Sequence, residues 1–443
     1  HCSPRNNYRP IMSATPDRSK APATHIPSDI KLPAMRELTL DNGMKVSALD
    51  HPDTEISRLT VITEGGMAEA GNPAIALLDS QLRQEGTTTT DGLTLADHFD
   101  FNGAWTACSS GNHHRSFTVY HLESKRQMIL PQVIDILTDP SFPADRLAKW
   151  RERMIAQTAI EQQTVGYQAS ALSREITIGA GHPLAQNPDP DRIAAIDRDT
   201  LLDFHRRNLH PRHIRLFIAG RLTPSLEHQL NRSFGSITPP QGMEEPSSCI
   251  VPFNIGSGKR GFRTVDGALQ SAVCVTLRGI DRNHPDYLPL RMTVNALGGY
   301  FGSRLSANIR ERLGLTYGIH ASLLGYAEGG MISIATECDN AYRDRVVDEI
   351  ASEMTRLATA PPDADEMERI RMTELSSLLD IMETPFTVSD FYQSMHINGL
   401  SPDYFDQRLM TASTMSPEII ADMASKYLRP DLMNVAIAGK NSN

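Results

Sequence analysis

The chain of 443 residues lacks the features that mark disulfide-rich, zinc-ribbon or membrane-spanning proteins. Its five cysteines are scattered and odd in number, and none forms a C-x-x-C pair, which argues against a zinc ribbon or a disulfide framework. Nowhere do 18 apolar residues run together, so the sequence predicts no membrane-spanning helix. The 43 basic residues are interspersed among 53 acidic ones without a basic stripe, so nucleic acid is not an expected partner.

What the sequence does contain is an internal repeat. Residues 209–220 read LHPRHIRLFIAG and residues 428–439 read LRPDLMNVAIAG, and each copy follows an amphipathic stretch. A chain of this length is too long for one ordinary core, and its 40% apolar residues are enough to fold two. The repeat therefore predicts two related domains.

Composition divides the chain into four parts. Residues 1–34 are rich in Pro, Ser and Asn and predict a disordered tether, whereas residues 237–252 carry four prolines without strand or helix period and predict a linker. Between and after them, residues 35–236 and 253–443 each pair short strands with runs of helices. We predict an α+β fold of two homologous domains, each a mainly antiparallel β-sheet packed with α-helices.

Cys2 precedes the polar tether and permits two interpretations. It resembles the acylated cysteine of a bacterial lipoprotein after signal removal, which predicts a periplasmic protein tethered to a membrane by lipid. The alternative is a frayed terminus at an arbitrary boundary, since no signal peptide is visible.

Several motifs in the right order resemble the pitrilysin/insulinase clan of zinc peptidases, in particular its two-domain bacterial members and the mitochondrial processing peptidase subunits. The resemblance extends from residue 36 to residue 440. Besides the repeated strand, it rests on LTLDNGMKV, EGT, GAWTACSSGNHHRSFTVY, GHPL (181–184) and LGGYFGSRLSANIRERLGLTY (297–317).

The zinc motif of that family is missing. The resemblance implies H-x-x-E-H on the helix before Gly86, but the equivalent positions are Leu77, Ser80 and Gln81, and the downstream glutamate ligand falls on Thr158. A leucine has no lone pair, a serine is no carboxylate base, and a glutamine is a poor zinc ligand. We therefore predict that this chain holds no metal and needs no cofactor of its own.

The remaining histidines offer no substitute ligand set. His113 and His114 are adjacent in a predicted strand, so they should point to opposite faces. Isolated histidines such as His205 are more often surface residues or hydrogen-bonded core residues than ligands.

The second half keeps a pair that the family uses. The resemblance implies that Arg310 positions the substrate backbone and that Tyr317, seven residues later, helps to stabilise the oxyanion. The alternative is that Arg310 lies on an exposed helix face and that Tyr317 is a strand core residue.

The strand GAWTACSS, from residue 103 to residue 110, is the second candidate. It resembles the edge strand on which family members bind an extended peptide, which would make Ala104, Trp105 and Thr106 substrate-binding residues. Every edge strand offers free N–H and C=O groups, and Trp105 could equally belong to the core.

Two functions follow as hypotheses. In the first, the chain is a non-catalytic subunit that binds peptides in a clamshell chamber and supplies Arg310 and Tyr317 to a homologous, zinc-bearing subunit. In the second, it is a homodimeric peptide-binding or scaffold protein of the cell envelope without catalysis. A hydrolase with a different ligand set ranks third. On either of the first two hypotheses the chain is not an enzyme on its own.

Overall fold

The computed structural model describes residues 18–20, 30–239 and 250–441. Contacts divide the chain into two units, residues 1–31 and 32–443. Cys2 and most of the predicted tether, like the middle of the predicted linker, lie outside the described residues. In the first unit the structure describes a turn at residues 18–20 and residues 30–31. The described strands and helices belong to the second unit.

The first half of the second unit, up to residue 239, begins with a β-hairpin and ends on a short helix. Its strands are β1 (Arg36–Thr39), β2 (Lys45–Asp50), β3 (Ile56–Glu64), β4 (Trp105–Ser110), β5 (His114–Leu122) and β6 (Ile214–Gly220). Its helices are α1 (Pro73–Leu82), α2 (Gly92–Phe101), α3 (Arg126–Thr138), α4 (Ala144–Glu161), α5 (Val165–Ile178), α6 (Pro190–Ala194), α7 (Arg198–Arg207) and α8 (Leu226–Ser233).

The second half has its own strands and helices. Its strands are β7 (Arg260–Thr264), β8 (Gln270–Arg278), β9 (Thr316–Tyr326), β10 (Gly329–Asp339) and β11 (Asn434–Gly439). Its helices are α9 (Tyr287–Gly298), α10 (Arg343–Thr359), α11 (Ala364–Ile381), α12 (Pro385–Ile397), α13 (Tyr404–Thr414) and α14 (Pro417–Tyr427), with a π-helical segment at Ser306–Arg312.

The two sheets repeat one topology. The first has the order β1-β2-β6-β3-β5-β4 and the second the order β7-β11-β8-β10-β9. The repeated sequence forms β6 and β11, and each is parallel to one neighbour (β2 or β7) and antiparallel to the other (β3 or β8). All other pairs are antiparallel, so the predicted fold class is confirmed.

The turn between β1 and β2 is built by Asn42 and Gly43, two residues that favour tight turns. Gly43 has a φ of +88°, a conformation that glycine adopts without steric cost. The Asn42 side chain donates to the carbonyl oxygens of Phe234 and Ile237 at 2.8 and 3.0 Å. This turn therefore fixes the hairpin to the end of the first half.

Each half contributes one helix to the other sheet. Helices α2, α3 and α8 pack their apolar side chains against one face of the first sheet, while α12 from the second half packs through Val388 against Leu49 and Ala219 on the other face. In return, α5 from the first half packs through Ala169 against Ala272 and Ala438 of the second sheet. This exchange joins the two halves of the unit.

None of the helices in the described part of the chain has the length and hydropathy that a membrane crossing requires.

Candidate functional site

Helix α1 carries the positions of the missing zinc motif. The Asn72 side chain caps it by accepting from the Ala74 N–H at 3.2 Å, and Pro73 begins its first turn. Leu77 and Gln81 are half-buried, and Ser80 is buried. The helix packs against β4, where the Ser80 and Ser110 hydroxyls lie 2.6 Å apart. Ser80 is therefore held by the protein rather than presented to a metal.

The one carboxylate on the buried face of α1 is used for structure. Asp79, with no exposed surface, lies 3.1 Å from the Arg83 guanidinium, contacts the Arg115 guanidinium and is 2.8 Å from His205 Nδ1. Burial alone would raise the pKa of Asp79, but Arg115 and Arg83 outweigh it and hold that pKa well below its usual range. This charge network, Asp79 with Arg83, Arg115 and His205, supports α1 from beneath.

His205 satisfies both ring nitrogens inside this network. Its Nδ1 faces Asp79 and its Nε2 lies 2.7 Å from the Leu137 carbonyl oxygen. The expectation that an isolated histidine here is a satisfied core residue is confirmed by these contacts.

The residues at the family's ligand positions do not fit zinc. Leu77 has no donor atom, and the Ser80 hydroxyl is already hydrogen-bonded. Thr158 on α4 is a buried hydroxyl rather than a carboxylate. Across residues 18–20, 30–239 and 250–441, no three His, Cys, Asp or Glu side chains are grouped so that they could hold a metal ion.

Strand β4 is an edge of the first sheet, as the sequence predicts. It pairs with β5 alone, which leaves backbone groups on its other side for a peptide. Ala104, just before the strand, is buried, and the Thr106 hydroxyl donates to Gln84 Oε1 at 2.8 Å. Trp105 is 56% exposed and stacks on Tyr120 with ring centroids 4.3 Å apart. Trp105 is therefore a surface residue and not part of the core.

Arg310 and Tyr317 meet at the start of β9. Arg310 lies in the π-helical segment, which Gly314 ends with a φ of +61°. Its guanidinium carbon is 4.4 Å from the Phe301 ring centre and 5.7 Å from the Tyr317 ring centre. Tyr317 is 92% exposed and Phe301 66% exposed, so the interpretation of Tyr317 as a core residue is wrong.

We call Phe301, Arg310 and Tyr317 the aromatic–arginine patch. In the described residues Arg310 has no carboxylate within ion-pair distance. Its guanidinium instead lies over the rings of Phe301 and Tyr317. Such contacts fix the guanidinium without neutralising it. The patch therefore presents an oriented cation and a phenol donor to solvent. In the part of the chain described, no hydrogen bond or ring contact joins the patch to α1 or β4.

The structure corrects the placing of His113. Strand β5 begins at His114, so His113 lies in the preceding turn and the alternation of a strand does not apply to it. Its Nδ1 is 2.6 Å from Glu69 and its Nε2 is 2.6 Å from Glu328, which belongs to the β9–β10 hairpin of the second half. Hydrogen bonds to Glu328 and Glu69 raise the pKa of His113 to about 10.

Sequence reasoning missed this histidine clasp, which we define as His113 with Glu69 and Glu328. The partners of His113 are 44 and 215 residues away in the chain, so no local sequence pattern indicates these contacts. The clasp lines a cleft of about 650 Å³ between the two halves. Asp79 had a signal that was overlooked, because it faces Arg83 four residues later on an otherwise apolar helix face.

Comparison with known proteins gives one family match. Residues 195–374 match the family model described as the peptidase M16 inactive domain. Over these residues the chain is similar to that family. The family resemblance drawn from the sequence is thereby confirmed, whereas the peptide chamber and the supply of Arg310 and Tyr317 to a partner stay predictions.

Curated proteins similar to this chain include some named as zinc proteases. An uncharacterized zinc protease of Bacillus subtilis is 21% identical over 310 residues, covering 68% of this chain and 73% of that protein. Another, from Streptomyces coelicolor, is 20% identical over 415 residues, covering 90% and 88%.

Two solved structures share the fold of this chain. A peptidase M16 inactive domain from Pseudomonas fluorescens superposes with a TM-score of 0.84 at 22% identity, covering 92% of this chain and 98% of that one. A protease from Helicobacter pylori gives a TM-score of 0.83 at 14% identity, covering 92% and 100%.

Proposed function

We propose that this M16-related chain is a non-catalytic subunit that binds peptides and supplies Arg310 and Tyr317 to the active site of a zinc-bearing homologue. The observation that carries the proposal is the aromatic–arginine patch. Its guanidinium is oriented by two rings and unpaired in the described residues, and Tyr317 is almost fully exposed. A cation and a phenol held in this way suit a peptide carbonyl that becomes an oxyanion.

The first half supports the same proposal, because it lacks zinc ligands but keeps an open edge strand. Its α1 positions, Leu77, Ser80 and Gln81, offer no histidine or carboxylate ligand, and the one buried carboxylate on that helix is paired with two arginines. Strand β4 nevertheless keeps an open edge, on which an extended peptide can pair through its backbone. Peptide binding thus survives in the first half without the means to hold zinc.

The test uses the purified chain mixed with a zinc-bearing homologue from the same cell. We expect the mixture to hydrolyse an internally quenched peptide, and Arg310→Ala to reduce kcat/KM by about 100-fold, the scale of one lost oxyanion contact. Tyr317→Phe removes only the hydroxyl and should act in the same direction.

Arg345→Ala is the matched control, because Arg345 is exposed on α10 in the same half. Unchanged hydrolysis by the Arg310→Ala mixture would remove the proposed role. Equal losses for Arg310→Ala and Arg345→Ala would also contradict it, since the effect would then be one of net charge.

The second candidate, a homodimeric peptide-binding or scaffold protein, is favoured by the open edge of β4, which needs no chemistry to capture a peptide. Gel filtration separates the two. A stable homodimer that binds peptides but does not bind any zinc-bearing homologue supports this second function.

For location we propose the cell envelope, with lipid on Cys2. Mass spectrometry of the protein from its native cell tests this, because an acylated Cys2 adds the mass of its fatty chains. An unmodified Cys2 in the mature protein would contradict the proposal.

A further inference from the structure

A second cleft lies away from the aromatic–arginine patch, between α5 and the open face of the second sheet. It holds about 670 Å³, a volume typical of small-ligand sites. Alternate residues of β8 and β10 form its floor, because alternate side chains of a strand share one face. These floor residues are Ala272, Cys274, Thr276, Met331, Ser333 and Ala335. Of these, Cys274, Ser333 and Ala335 are partly or fully exposed, so this part of the sheet is accessible beside α5.

Arg174 on α5 brings a positive charge to this cleft. Its Nη1 donates to Ser170 Oγ at 2.9 Å and its Nη2 donates to Asn187 Oδ1. A guanidinium has five N–H donors, so three are left for a ligand. The two contacts hold the guanidinium plane in place, so little side-chain freedom is lost when a ligand binds.

No carboxylate lies within ion-pair distance of Arg174 in the described residues, although the exposed Glu337 lines the same cleft. The nearest acid along α5, Glu175, is paired instead with Arg263 at 2.8 Å. Burial raises the pKa of the Cys274 thiol to about 11, so this floor residue is uncharged at neutral pH. Arg174 is half-buried, so its guanidinium is available to an anion that enters the cleft.

Two hydroxyls extend the polar side of the cleft. Ser173, one residue before Arg174, and Ser333 on β10 both line it, and neither hydroxyl has a hydrogen-bond partner in the part of the chain described. Hydroxyls can donate to the oxygens of an anion that the guanidinium does not reach. Apolar side chains such as Phe253 and Leu324 line another part of the cleft, and the polar Gln186 and Glu337 also belong to its lining.

We propose that this cleft binds a carboxylate, and that the carboxylate is the C-terminus of a peptide held by the chain. The planar guanidinium fork matches two carboxylate oxygens, and the apolar lining suits the side chains next to it. The proposal rests on the peptide binding proposed above. Asn112, which lines this cleft two residues after the end of the β4 edge, connects the two sites.

The test compares two forms of one peptide on the full chain. Penta-alanine with an uncharged fluorophore on its N-terminus is prepared as the free acid and as the C-terminal amide, and binding is measured by fluorescence anisotropy. We expect the amide to bind at least about tenfold more weakly, the scale of a charge-assisted hydrogen-bond pair. Arg174→Gln should remove this difference, whereas Arg345→Gln, an exposed arginine on α10, should keep it.

Three outcomes would overturn the assignment. Equal binding of acid and amide by the wild-type chain overturns it while leaving peptide binding intact, and this comparison needs no variant that must fold. If neither form binds, both this inference and the proposed peptide binding fail. In the third outcome, inorganic phosphate raises the Tm of the wild type but not of Arg174→Gln, while the free-acid peptide raises the Tm of neither protein. The anion is then phosphate and not a peptide end.

Discussion

The two sheets have the same strand order around the repeated strand, yet the two halves use their charged groups in opposite ways. In the first half, the charges near α1 are turned inward, where Asp79 is buried against Arg83 and Arg115. In the second half, Arg310 and Tyr317 are turned outward beside Phe301. The shared fold therefore preserves a framework, while function depends on which side chains remain accessible.

The edge strands sharpen this contrast. Strands β4 and β9 occupy the same position in their sheets, and each has an exposed aromatic residue at or next to its first position. Trp105 stacks on Tyr120 of its own sheet, whereas Tyr317 contacts Arg310 and is otherwise exposed. We infer that the first edge is a surface for backbone pairing and the second presents specific groups.

The largest expected effect on stability comes from removing the carboxylate from the buried charge network of the first half. Asp79→Asn leaves two buried arginines without their carboxylate, so we expect the free energy of unfolding to fall by about 3–5 kcal/mol. Urea denaturation followed by circular dichroism measures this. Asp344→Asn is the control, because Asp344 pairs with Arg260 on the surface and should cost less than about 1 kcal/mol. Similar losses for both variants would contradict an inward, structural role for Asp79.

The histidine clasp joins the two halves and gives the next largest effect. The pKa of His113 is raised from an ordinary value near 6.5 to about 10. Because the folded pKa is the higher one, the stability from the clasp is complete below about pH 6.5 and is lost as the pH rises through about 10. Denaturation at pH 6 and pH 10 should show this loss.

His113→Gln provides the comparison for that measurement. The variant should lose about 1–3 kcal/mol at pH 6, since its uncharged amide cannot balance Glu69 and Glu328. It should also show a smaller fall in stability between pH 6 and pH 10 than the wild type. An identical fall in both proteins would mean that other groups carry the pH dependence.

The smallest effects are expected at the two edge aromatics. Trp105→Ala removes the stack on Tyr120 and should cost about 1 kcal/mol of stability. Tyr317→Ala removes an exposed ring and should change stability by less than about 0.5 kcal/mol. Thermal unfolding of both variants checks the order, and a larger loss for Tyr317→Ala would show that Tyr317 is a packing residue after all.

Local signals predicted much of the fold from the sequence. The β1–β2 hairpin follows from Asn42-Gly43, and the repeat at 209–220 and 428–439 predicted two strands that proved equivalent in their sheets. The edge position of β4 was also predicted, through the family resemblance. These features depend on neighbouring residues or on whole motifs, which a sequence displays directly.

Features built by long-range packing could not be predicted in this way. The exchange of α5 and α12 between the halves depends on which sheet each apolar helix face meets, and both helices have the same local pattern whichever sheet they cover. The clasp joins a turn to a hairpin 215 residues later. The place of Arg174 in a cleft could not be predicted either, because that cleft forms only when α5 packs on the second sheet.

The central claim is that α1 has no means of holding zinc, and we propose that the second half supplies Arg310 and Tyr317 to a zinc site on another chain. The most direct measurement is the metal content of the purified chain after incubation with zinc and exhaustive dialysis, with a zinc-bearing homologue treated in parallel. We predict far less than one zinc per chain for this protein and about one for the homologue. One dialysis-resistant zinc per chain in this protein would contradict the account.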